Sequence, residues 1–73
     1  MAIVLVFWRD GEARCEWEPE LGRIRLVSGT TIHREATVGT SREALARARE
    51  FFDFVQLLDP AAREALRSSA VRS

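Results

Sequence analysis

The stretch Ile3-Val4-Leu5-Val6-Phe7-Trp8 constrains this chain more than any other, because six apolar residues follow one another there without a charge. The run is short, β-branched and aromatic, and Asp10-Gly11 closes it with a turn signal, so it reads as a strand rather than a helix. A strand wet on one side alternates apolar with polar residues. This one does not alternate, which implies cover on both faces.

The chain has little material for that cover. At 73 residues it makes one domain near the lower limit for a self-sufficient core, and a chain of this size buries only about 60–65% of the surface its unfolded form exposes. Small domains are usually stapled by disulfides, a metal or a partner chain. With Cys15 as the single cysteine and His33 as the single histidine, an internal disulfide is excluded and a zinc site is poorly provided for. Self-association, most simply as a homodimer, is the remaining remedy. The expected domain covers residues 1–68, with 69–73 as a frayed tail.

Eleven basic residues balance eleven acidic ones, so no global field draws the chain to nucleic acid or to an acidic membrane. The apolar run lacks a basic flank and is far shorter than the ~20 residues that span a bilayer; the plain expectation is a cytoplasmic protein with no membrane partner. Every basic residue is arginine. GC-rich coding accounts for that better than phosphate recognition does, because no basic run occurs without interleaved acids.

Asp10-Gly11 as a two-residue hairpin turn places Arg9 opposite Glu12, Trp8 opposite Ala13, Val6 opposite Cys15 and Val4 opposite Trp17. In that register Val4, Val6 and Trp8 join Ala13, Cys15 and Trp17 on a core face. Ile3, Leu5 and Phe7 then lie on an outer face bordered by Glu12, Arg14, Glu16 and Glu18. Pro19-Glu20-Leu21-Gly22 turns the chain, and Arg23 to Val27 alternates as a third strand with Ile24 and Leu26 inward. A three-residue loop, Ser28-Gly29-Thr30, sets Leu26 opposite Ile32 and Arg25 opposite His33. The fourth strand, Thr31 to Val38, then carries Ile32, Ala36 and Val38 on one face.

Thr40-Ser41-Arg42-Glu43 has the spacing of a capping box. The helix it opens runs to about Leu58, with Ala44, Leu45, Ala48, Phe51, Phe52, Val55 and Leu58 on its broad apolar face and Phe54 and Leu57 outside it. Asp59-Pro60 ends this helix and starts a shorter one to about Ser68, which is expected to fold back against Phe54 or Leu57. The fold class is therefore α+β: a four-stranded antiparallel meander of two hairpins, packed by one long helix and a short final helix.

Chemistry-bearing residues are few. Cys15 alternates inward beside Val6 and reads as a small core hydrophobe. His33 and Glu35 share a strand face with no nucleophile or second acid placed beside them. No phosphate loop, metal motif or carboxylate pair appears, so neither a catalytic activity nor a cofactor is expected. Four strand arginines, Arg14, Arg23, Arg25 and Arg34, with Phe7 beside them, give weak nucleic-acid binding as an alternative. The favoured expectation is a protein–protein module whose interface is Ile3, Leu5 and Phe7 on the outer sheet face, Phe54 and Leu57 on the helix, or both.

A strand hairpin followed by Thr40-Ser41-Arg42-Glu43-Ala44-Leu45-Ala46-Arg47-Ala48-Arg49-Glu50 resembles the sheet-then-helix portion of HicB-type antitoxins. The resemblance covers a minor part of the chain and implies a small domain that binds a partner protein, in that family a toxin. Four strands precede the helix here, no strand follows it, and no DNA-binding tail is recognisable.

Overall fold

The computed structural model describes residues 3–68; the expected frayed tail, 69–73, lies outside the described residues. Four strands, β1 (Leu5–Asp10), β2 (Ala13–Glu18), β3 (Arg23–Ser28) and β4 (Thr31–Thr37), form one antiparallel sheet in the order β1-β2-β3-β4. The helices α1 (Ser41–Leu57) and α2 (Pro60–Ser68) follow. The expected α+β meander with two C-terminal helices is the observed architecture.

Both helices lie on one face of the sheet. Ala13, Cys15, Ile24 and Leu26 from the strands and Ala44, Ala48, Phe51, Val55 and Leu66 from the helices form a single buried cluster. The small Ala44 and Ala48 bring the start of α1 close to the sheet, and Phe51 and Val55 fill the space beyond them. Thr40 caps α1 by accepting the Glu43 N–H at 3.1 Å, while the Glu43 carboxylate accepts the Gly39 N–H at 2.6 Å. The second bond reaches one residue further back than the usual reciprocal cap. Leu45 and Phe52, expected on the core face, remain 50% and 40% exposed. They lie on the flank of α1 that faces Phe7 and Trp8 across a shallow cleft.

Two bulges replace the expected registers. The first turn is Gly11-Glu12, so Asp10 pairs with Ala13, Arg9 with Arg14 and Trp8 with Cys15. A bulge between Val6 and Trp8 then brings Val6 opposite Glu16 and Leu5 opposite Trp17. The extra residue reverses the faces beyond it: Leu5 is on the helix side and Val6 on the outer side. Phe7 also belongs to the helix side, stacked on Trp17 with ring centroids 5.6 Å apart. The outer apolar stripe of Ile3, Leu5 and Phe7 is therefore not formed.

The second hairpin behaves alike. Gly29-Thr30 makes a two-residue turn with Gly29 at φ 60°, Ser28 pairs with Thr31 and Val27 with Ile32, and a bulge at His33 leads to Leu26 opposite Arg34. Ile32, expected inward, is thus on the outer face and 53% exposed, while Arg34 is on the helix face.

Of the two expected seats for the final helix, Leu57 is 85% exposed and not used, while Phe54 faces Ala62, Ala65 and Leu66 across an open groove. The helix returns to the tips of the hairpins instead. The Ser28 hydroxyl donates to the Leu66 carbonyl at 2.6 Å, the Glu12 N–H donates to the Arg67 carbonyl, and the Arg67 guanidinium meets Asp10 at 2.8 Å. Gly11 makes this approach possible. Its φ is +65°, and a Cβ there would stand 2.5 Å from the Arg67 carbonyl oxygen, so a side chain is barred on both conformational and steric grounds.

Candidate functional site

The sheet face away from the helices is charged and internally paired. Glu16, Arg25 and Glu35 form one cross-strand row, and Glu18 and Arg23 begin the next. Arg14 holds Glu16 at 2.6 Å, Arg25 holds Glu18 at 2.8 Å, and Arg25 and Arg23 each approach Glu35 to 3.9 Å. Arg25 and Glu18 keep only 15% and 12% of their side chains exposed, so these charges lie flat against one another. Val27, between Arg14 and Ile32 in the ladder, is buried beneath them, as the stems of long charged side chains allow. Arg14, Arg23 and Arg25 thus share a face but already carry carboxylates. Arg34, the fourth candidate for nucleic acid, is on the opposite face, and no aromatic platform joins the other three.

The exposed apolar surface is at the β1 edge. Ile3, Val4, Leu5 and Val6 are 61%, 44%, 45% and 45% exposed, and β1 has no partner on its outer side. The patch continues onto α1. Trp8 meets Phe52 edge-on at 5.3 Å, and Phe7, Trp8, Leu45 and Phe52 border one shallow cleft whose other lining residues are Arg49 and Asp53. Of the expected interface residues, Ile3 and Leu5 belong to this edge. Phe7 lies beneath it, half-buried against the core. Leu57 stands alone in solvent, and Phe54 is half-buried on the other side of α1. Alternation could not have located Val4 and Val6 at the edge, because it does not give strand order; the unbroken apolar run was the available signal.

A second surface lies at the opposite end of the sheet. An open groove of about 500 Å³ runs between β4, the end of α1 and α2, floored by Phe54, Leu58, Ala62, Ala65 and Leu66 and closed by Ser28. Its ionisable lining groups are His33 and Arg34. The Arg34 guanidinium carbon sits 4.4 Å above the centre of the Phe54 ring, a cation–π geometry.

Cys15 is fully buried. Burial first, and then the neighbouring Glu16 charge, push its thiol up from the ordinary 9.0 to about 12, so it is a packed apolar group and a poor nucleophile. His33 is exposed at its bulge and does not meet Cys15. Among the described residues no three His, Cys, Asp or Glu side chains gather as metal ligands, and no helix is long and apolar enough to cross a membrane. The chain matches no family model, no curated protein and no solved structure, which leaves its own two surfaces as the guide to what it does.

Proposed function

We propose that this chain is a non-catalytic association module that pairs with a second copy of itself along the free edge of β1. The observation that carries the reading is the four-residue run Ile3–Val6, exposed where it leads into and opens the edge strand β1. An open strand edge offers unpaired N–H and C=O groups to another strand, and proteins that do not use an edge usually blunt it with charge or a bulge. β4 is blunted in that way, by the His33 bulge and by Arg34 and Glu35. β1 has its own bulge, at Phe7, but the Ile3–Val6 run that leads into it carries no charge.

A second copy suits this edge because the segment is self-complementary. In an antiparallel pair centred on Leu5, Leu5 faces its copy and Val4 faces Val6, so apolar groups meet on both sides of an eight-stranded sheet. Leu45 and Phe52 flank the join on the helix side. A face-to-face dimer through the outer sheet is less favoured, since it would bury the paired arginines and carboxylates.

The test is solution mass by light scattering after size exclusion, over a tenfold range of concentration. The wild-type chain is expected to be a dimer, Leu5→Glu a folded monomer, and Leu57→Glu a dimer still. A monomeric wild type overturns the reading, and so does a dimer that survives Leu5→Glu but not Leu57→Glu.

A further inference from the structure

The groove beside β4 has a lining that matches one class of ligand. Its floor is apolar, and no carboxylate lines it. Arg14, Arg23 and Arg25 each have a carboxylate within 4 Å, whereas Arg34 makes no ion pair and no side-chain hydrogen bond among the described residues. Glu50 shares a neighbouring cleft with Arg34, but Arg47 holds it at 2.8 Å. Contact with the Phe54 ring holds the Arg34 guanidinium against an apolar trough. A guanidinium so placed is built to take a carboxylate on two donors.

We propose that this groove binds a small amphipathic monocarboxylate, with its tail along Phe54, Leu58, Ala62 and Ala65 and its carboxylate on Arg34. A volume of about 500 Å³ falls within the ~300–1,000 Å³ of small-molecule sites. A peptide strand is the poorer occupant, because the bulge at His33 interrupts the β4 edge on which it would have to pair. The site is at the far edge of the sheet from β1 and does not depend on self-association.

The probe is sodium decanoate below its micelle concentration, titrated into the whole chain and followed by amide NMR. Saturable shifts are expected at Ser28, His33, Arg34 and Leu66, and neither acetate nor decyltrimethylammonium should reproduce them. Arg34→Gln should weaken decanoate by about tenfold or more, the loss expected for a charge-assisted pair. Ala62→Trp, which fills the trough and leaves Arg34 in place, should abolish the shifts, and Leu5→Glu should leave them unchanged. Thermal melts establish that each variant is folded. Equal response to the cationic amphiphile, full affinity in folded Arg34→Gln, or no saturable shift would each overturn the proposal; the first would mark the groove as an apolar seat for a protein segment.

Discussion

Two tryptophans occupy the same sheet face in opposite states of satisfaction. The Trp8 indole N–H donates to the Ala48 carbonyl at 2.8 Å, tying β1 to α1. The Trp17 N–H is buried without a partner, while its ring stacks on Phe7. A hydrogen bond of this kind contributes about 0.5–1.5 kcal/mol, whereas an unmet buried donor is a cost. Trp8→Phe should therefore destabilise the chain by more than Trp17→Phe, by about 1 kcal/mol in urea melts, although both lose similar ring area. Cys15 gives a second prediction at this scale. The chain has no lysine or tyrosine, so the thiol is the side chain due to titrate between the ordinary 9.0 and about 12. Because its folded pKa is raised, the folded chain keeps a proton that the unfolded chain releases. That contribution is complete below about 9 and is lost as pH climbs toward 12. Urea midpoints should fall across this window in the wild type and stay flat in Cys15→Ala.

At the scale of elements, α2 is held to the sheet by its C-terminal end rather than by its length. A nine-residue helix is too short to be stable alone, so its attachment to the hairpin tips decides whether it stays folded. The buried Ser28–Leu66 bond and the exposed Arg67–Asp10 pair should contribute unequally. Ser28→Ala is expected to cost about 1–2 kcal/mol and to raise amide hydrogen exchange throughout α2. Arg67→Ala should cost no more than about 0.5 kcal/mol, since the backbone carbonyl it leaves behind still accepts from Glu12. These anchors were not legible in the sequence. The pattern identified both helices almost to the residue, because caps, proline and 3.6-residue periodicity are local signals. The bulges at Phe7 and His33 were not legible either, since an inserted residue leaves no mark on composition yet reverses every face beyond it. Leu5 and Phe7 were misplaced by the first bulge, and Ile32 by the two-residue turn Gly29-Thr30 that stands where a three-residue loop was expected.

For the whole molecule, the balance of surfaces is the informative property. The fold class followed from hairpin signals and one amphipathic helix, and the expectation of a partner came from an apolar first strand in a short chain. Strand order, which turns Ile3–Val6 into an edge rather than an outer face, depends on tertiary pairing and could not be read. The groove was hidden for a similar reason: Arg34, Phe54, Ala62 and Ala65 are far apart in the chain and meet only after α2 turns back. Self-association along β1 carries a further expectation for the intact molecule. If folding and pairing are coupled, Tm should rise with protein concentration in the wild type and become concentration-independent in Leu5→Glu, as differential scanning calorimetry would show.

The return of α2 to the first hairpin also sets a schedule for synthesis. The strands are neighbours in the order in which they are made, so each can zip onto its predecessor as it emerges, and contacts so close in sequence form quickly. The tip of the first hairpin is different. Asp10 and Glu12 find their last partners in Arg67, and at about 5–20 residues per second they wait through the making of almost the whole chain. The first hairpin to be translated is thus the last to be latched.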